Sequence, residues 1–148
     1  MYNTQLGLAY LAQGQRPLAK RKLLRALKQA PKSARVHASM AYFFEKSGDI
    51  LAAERYYQKA LRMGPRRGDI LHHYGLFLCR QGRFQEADHF FQQATMDLQY
   101  VQTALAFESA GMCALKAQHP QEAKRYFLRA IAHDPHLERS VRALHEMG

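Results

Sequence analysis

Ala53-Glu54-Arg55-Tyr56-Tyr57-Gln58-Lys59-Ala60 returns further along the chain as Ala87-Asp88-His89-Phe90-Phe91-Gln92-Gln93-Ala94. The same small–bulky–small outline stands earlier at Ala19, Leu23 and Ala26 and later at Ala123, Phe127 and Ala130. Its leading alanines are 34, 34 and 36 residues apart. Upstream of each copy lies another small residue, in turn Gly7, Ala41, Gly75 and Gly111. Between the two small positions comes a turn glycine, Gly14, Gly48 or Gly82, with Gln118 in that place in the fourth copy. Pro31, Pro65 and Pro135 close the first, second and fourth copies. This is a chain written as four units, each made of two helical segments.

A period near 34 with this outline is the tetratricopeptide signature. The residue types follow from packing. Neither helix of a unit can bury its apolar stripe alone, so units must stack. Small residues are needed where two helices cross closely, because a larger side chain forces them apart. Leu23, Tyr57, Phe91 and Phe127 are expected to fill the space between one unit and the next. The prolines stop each second helix, since proline lacks the donor and clashes with the preceding turn. First helices are expected near 1–13, 35–47, 69–81 and 104–117, and second helices near 17–29, 51–63, 84–97 and 121–132. Leu137, Val141 and Leu144 recur at helical spacing and predict a ninth, capping helix near 137–147. The expected fold is all-α, a right-handed tetratricopeptide-repeat superhelix of four helix-turn-helix repeats plus a C-terminal capping helix. It is read as one domain over 1–148, with repeats at about 1–33, 34–67, 68–103 and 104–136. The third unit departs from the pattern, with no closing proline and two extra residues in the segment Asp97–Thr103.

The formal net charge is +10, and it is unevenly spread. Residues 1–44 carry Arg16, Lys20, Arg21, Lys22, Arg25, Lys28, Lys32 and Arg35 and no acidic residue. A basic start of this kind suits nucleic acid, anionic lipid or an acidic protein, or is a solvated helix face. Nucleic-acid binding has little else behind it, because no aromatics are interleaved with the charges. No apolar run reaches transmembrane length, and no signal peptide opens the chain. Tyr2 and Leu6 already belong to an amphipathic helix, which reads as a start with upstream segments missing. Phosphate loops, a Gly-x-Ser-x-Gly elbow and a His-Glu-x-x-His pair are all lacking, so an enzyme and a cofactor are not expected. Nor is a metal: His72 and His73 are adjacent on a helix and point about 100° apart, and His133 and His136 straddle Pro135 without a carboxylate cluster.

Two stretches carry a more specific resemblance. Asp69-Ile70-Leu71-His72-His73-Tyr74-Gly75-Leu76-Phe77-Leu78-Cys79-Arg80-Gln81-Gly82-Arg83-Phe84 and Ala104-Leu105-Ala106-Phe107-Glu108-Ser109-Ala110-Gly111-Met112-Cys113-Ala114-Leu115 resemble the PilF/PilW family of type IV pilus biogenesis proteins. The opening Gln5-Leu6-Gly7-Leu8-Ala9-Tyr10-Leu11 fits that family's first repeat, and the two-residue extension before the fourth unit is shared. His72-His73 and Leu76 depart from it, where the family commonly has two asparagines and a small polar residue. With about six repeats usual in the family, one or two are expected to be absent here. The resemblance implies a scaffold that helps the secretin of the pilus machinery reach the outer membrane and assemble. It further implies a lipoprotein at the periplasmic face of that membrane, touching lipid only through an N-terminal anchor that this chain lacks, with no nucleic-acid partner.

Cys79 and Cys113, the two cysteines, fall on first helices of neighbouring units. They read either as small buried hydrophobes or, given the family and its oxidising compartment, as a disulfide. First helices line the concave groove of a tetratricopeptide superhelix. The residues expected to face a partner there are Arg35, Ala38, Tyr42, Glu45, Lys46, His72, Leu76, Arg80, Glu108, Met112 and Lys116. Such a mixture suits an extended or helical peptide. Thr4 and Leu8 stand where carboxylate-clamp repeats carry Lys and Asn, which argues against capture of a peptide's terminal carboxylate. The rival reading is a cytoplasmic repeat adaptor or co-chaperone-like scaffold with reduced cysteines.

Overall fold

The computed structural model describes residues 2–64 and 67–148. Met1, inside the expected first helix, and the closing Pro65 lie outside the described residues. Among the described residues the chain forms nine helices: α1 Tyr2–Ala12, α2 Arg16–Gln29, α3 Ala34–Lys46, α4 Ile50–Met63, α5 Gly68–Arg80, α6 Phe84–Thr95, α7 Thr103–Lys116, α8 Pro120–His133 and α9 Glu138–Glu146. They fall into two compact units, Met1–Pro65 and Arg66–Gly148. In the first, α1 packs on α2 and α3, and α3 packs on α2 and α4. In the second, α5 packs on α6 and α7, α7 on α6 and α8, and α9 closes against α8.

The hairpin turn is built the same way each time. The chain reverses at a residue in the left-handed region, with φ of 77° at Gly14, 87° at Gly48, 78° at Gly82 and 62° at Gln118. The next N–H then reaches back five residues to an orphan helix carbonyl, Gln15 to Tyr10, Asp49 to Phe44, Arg83 to Leu78 and His119 to Ala114, at 2.8–2.9 Å. Glycine adopts that φ without a steric penalty, whereas Gln118 carries one of about 1 kcal/mol. Helix starts differ more. Ser33 Oγ accepts from Val36 N and Asp49 Oδ1 from Ala52 N, while Pro17 and Pro120 sit in the first turns of α2 and α8, where a missing N–H costs nothing.

The four alanine pairs, Ala19/Ala26, Ala53/Ala60, Ala87/Ala94 and Ala123/Ala130, are all buried. The bulky residues between them do more than fill the space between units. A Cβ added at Gly7 would come within 2.8 Å of Leu23, one at Gly75 within 2.8 Å of Phe91, and one at Gly111 within 2.7 Å of Phe127. Each therefore presses on the small residue of its own hairpin partner as well. Leu23 also clusters with Met40 and Phe43 of the next hairpin. Phe127 clusters with Ala143 of α9, and Leu144 of α9 and Met147 just beyond its end pack against that cluster. One bulky apolar side chain thus ties together two helices of its own hairpin and the element that follows.

Helix α6 stops at Thr95, two residues before the expected end. The cause is Asp97, whose Oδ2 accepts from the backbone N–H of Gly68 at 2.8 Å. That bond draws the chain out of the helix and down onto the start of α5.

Candidate protein-interaction site

The residues expected to face a partner divide sharply by position. In the first unit Arg35, Tyr42 and Lys46 are exposed, and Ala38 and Glu45 are half-buried. Lys46 Nζ lies 5.3 Å from the Tyr42 ring centroid, a cation–π contact that holds the ammonium over the aromatic face. In the second unit Arg80 and Lys116 are exposed, and Leu76 and Met112 are half-buried. These open positions repeat. Three of the four first helices, α3, α5 and α7, show a mainly apolar side chain directly after the small landmark (Tyr42 after Ala41, Leu76 after Gly75, Met112 after Gly111) and a cation one turn later, Lys46, Arg80 or Lys116; α1 has Leu8 and then Ala12.

His72 and Glu108 do not belong to that surface. Each is only 6% exposed and stands three residues before its landmark glycine, a position that faces the following helix. Glu108 Oε2 accepts from the Ser140 backbone N–H at 3.0 Å and from the Ser140 hydroxyl at 2.6 Å. Ser140 lies in the first turn of α9, where N–H groups lack helical partners and the helix dipole favours an anion. The carboxylate on α7 is therefore the cap that docks α9. It is a structural group, and the expectation that it meets a partner is corrected.

His72 makes the corresponding link from α5. Its Nδ1 lies 2.8 Å from the Tyr100 hydroxyl and its Nε2 2.8 Å from the Ser109 hydroxyl, with Tyr100 and Phe91 packed edge-on to the ring. Burial, with a smaller contribution from neighbouring His73, lowers its pKa to about 4. The imidazole is neutral at physiological pH, donating from one nitrogen and accepting at the other. The Tyr100 hydroxyl is pushed up to about 12 by burial and by Asp69, so it remains protonated. The expected partner-facing role of His72 is likewise corrected: it fastens α5 to α7 and to the segment between α6 and α7.

The sequence marks that segment, residues 96–102, as irregular, but not what it packs against. Two of the segment's polar side chains, Asp97 and Tyr100, turn inward, while Gln99 and Gln102 are exposed. Asp97 holds Gly68 N with one oxygen and Gln99 N with the other, and the Tyr100 ring covers Gly68 so closely that a Cβ there would fall 2.4 Å from Tyr100 Cγ. Its apolar groups turn outward instead, with Met96 75%, Leu98 99% and Val101 92% exposed. The available signals were the two extra residues and a glycine at the head of α5, neither of which says what packs on what.

Cys79 and Cys113 are both buried, on α5 and α7, and are joined as a disulfide with Cα atoms 6.0 Å apart. α5 and α7 are thus linked covalently and, through His72, by a polar contact. A cavity of about 410 Å³ opens beside α6, α7 and α8. Phe107 and Met96 supply its apolar lining, and Asp88, Glu122, Arg125 and Arg129 give it both signs of charge. Burial, and then the hydrogen bond its hydroxyl donates to Asp88, push the pKa of Tyr126 up to about 12. Among the described residues, no group of three or more His, Cys, Asp or Glu side chains is arranged to hold a metal ion. His133 stacks on Phe107 at 5.4 Å between ring centroids.

The tetratricopeptide-repeat model matches residues 4–50 and 39–95. The chain is 36% identical over 127 residues to the type IV pilus assembly protein PilF of Pseudomonas aeruginosa, a match covering 86% of this chain and 50% of that one. It thus spans about half the length of that curated relative. The solved structure of Pseudomonas aeruginosa PilF superposes with a TM-score of 0.87 at 32% identity, over 97% of this chain and 64% of that one. The structure of PilW, described as a widely conserved type IV pilus biogenesis factor, gives 0.84 at 26% identity, over 94% and 64%. With its repeated hairpins, its glycine-seated aromatic rings and these likenesses together, the chain belongs to the tetratricopeptide-repeat family and is homologous to PilF and PilW.

Proposed function

We propose that the chain is a non-catalytic protein-interaction scaffold of type IV pilus biogenesis, which helps the pilus secretin reach the outer membrane and assemble. The observation that carries this reading is the similarity to PilF, 36% identity across 86% of the chain. The bond between Cys79 and Cys113 supports a periplasmic location, since disulfides persist in oxidising compartments. A lipid anchor upstream would hold the protein at the periplasmic face of the outer membrane. Its partner is the secretin subunit, met by the open positions of the first helices. Tyr42 and Lys46 serve in the first unit, with Arg35 and Glu45 beside them. Leu76, Arg80, Met112 and Lys116 serve in the second. The apolar side chains would enter pockets or cover apolar stripes on the partner, and the cations would take its carboxylates through charge-assisted hydrogen bonds.

The test is deletion of the gene in its host, with secretin multimers followed on gels and surface pili counted. The expected result is loss of both, restored by the wild-type gene but not by a Leu76→Glu, Met112→Glu variant that accumulates normally. Unaltered multimers in the deletion strain would reject the role. Trapping of Cys79 and Cys113 as free thiols in intact cells would point to the cytoplasmic adaptor instead.

A further inference from the structure

The charge of the molecule is concentrated on one unit. Met1–Pro65 holds twelve basic and three acidic residues, against ten and nine in Arg66–Gly148, so nine of the ten net charges lie in the first unit. The three acids, Glu45, Asp49 and Glu54, are all on or between α3 and α4, so the first hairpin has none. Helix α2 reads Arg-Pro-Leu-Ala-Lys-Arg-Lys-Leu-Leu-Arg-Ala-Leu-Lys-Gln. At about 100° per residue, Ala19, Leu23 and Ala26 fall on one side, and these are buried. Arg21, Arg25 and Lys28 fall on the opposite side, and all three are exposed. Among the described residues none of the three has an ion-pair partner. Beside them Leu24 is 44% exposed.

We infer that this outer face of α2 is a docking surface for an anionic phospholipid bilayer, a contact independent of the secretin-assembly reading. The chemistry selects that occupant in two ways. The face carries charge of one sign only, which suits a surface whose negative charge is diffuse and laterally mobile better than a protein with a fixed pattern of both signs. An exposed leucine lies among the cations, and it is accommodated among lipid headgroups and acyl boundaries but gains nothing against a polyanion. Long Lys and Arg stems lie along the same apolar boundary while their charged ends reach the phosphates. Nucleic acid fits less well, since α2 offers only Gln29 as a neutral polar side chain and no aromatic residue.

The experiment is sedimentation of the 148-residue chain with vesicles of phosphatidylethanolamine and phosphatidylglycerol at three to one, compared with phosphatidylethanolamine and phosphatidylcholine. Each cation near an anionic surface contributes about fivefold to affinity. The triple variant Arg21→Gln, Arg25→Gln, Lys28→Gln is therefore expected to bind the anionic vesicles on the order of a hundredfold more weakly. A control of equal charge change on the second unit, Lys124→Gln, Arg139→Gln, Arg142→Gln, is expected to stay within about twofold. Binding should vanish near 1 M salt, where the screening length falls to about 3 Å. Matched circular-dichroism melts establish that the variants remain folded. Equal losses from the two triples would overturn the proposal, because net charge alone would then explain the binding. So would a failure to bind anionic vesicles at low salt while polyglutamate or a DNA duplex is retained.

Discussion

Lowering the pH should loosen the second unit through one side chain, His72. Its imidazole titrates at about 4 in the fold, against 6.5 for an exposed histidine. As pH falls, the unfolded chain takes up this proton first. The contribution of the neutral imidazole is therefore complete above about pH 7, is lost progressively between 6.5 and 4, and levels off below. The displacement of about 2.5 pH units corresponds to about 3 kcal/mol at most, of which about 2 kcal/mol is lost between pH 7 and pH 4.5. Protonation also spoils the pair of hydrogen bonds: both nitrogens become donors, and the Tyr100 and Ser109 hydroxyls must both turn to accept. The assay is urea unfolding at pH 7.0, 5.5 and 4.5 for the wild type and His72→Gln. The variant should start lower at pH 7, by about 1–3 kcal/mol for the disrupted buried contacts, yet lose about 2 kcal/mol less on acidification. The comparison removes the titration of all other groups, which the two proteins share. Parallel stability–pH curves for the two would refute the claim that His72 is held neutral by its burial.

Three further outcomes follow from the same contacts. Gly68→Ala places a methyl group 2.4 Å from Tyr100 Cγ, so the ring must move off α5; a loss of about 1–3 kcal/mol in urea melts, with faster amide exchange over 96–102, is expected. Glu108→Ala leaves the buried Ser140 N–H and hydroxyl without their acceptor, so a loss of about 1–3 kcal/mol should come with protease cleavage between 134 and 140, seen by mass spectrometry. Reduction of the Cys79–Cys113 bond, whose partners are 34 residues apart, should lower stability by about 4 kcal/mol in the chain-entropy account; unchanged melting after complete thiol labelling would reject it.

The residues of the second unit explain why its two hairpins tolerate an irregular join. The spacing there lengthens from 34 to 36 residues and the closing proline is missing, so local chain chemistry no longer sets the direction of α7. Three tertiary contacts take over. Asp97 holds the head of α5, His72 spans to Ser109 on α7, and Cys79 is bonded to Cys113. The exposed Met96, Leu98 and Val101 accompany this arrangement, because the inward side of the segment is given to Asp97 and Tyr100.

The amino-acid pattern alone dictates the helices and how they pair. Its period states which residues must be small and which bulky, and its glycines state where the chain reverses, because φ near +80° and close helix crossings each exclude most side chains. That is why Gln118 could be assigned a turn despite its side chain, and why nearly every helix end fell within a few residues of its place. The open positions at Tyr42, Lys46, Arg80 and Lys116 were legible for the same reason, since they follow the landmark at helical spacing. His72 and Glu108 lie on the same helices, three residues before the landmark, but in a different environment. Whether a polar residue on a first helix meets solvent or the next helix depends on what lies opposite, and for these two that is Ser109 and Ser140, 37 and 32 residues away. A periodic pattern records the face a side chain lies on. Only the tertiary structure supplies the partner that makes burying a carboxylate or an imidazole tolerable, because an unpaired polar group there would cost more than its packing returns.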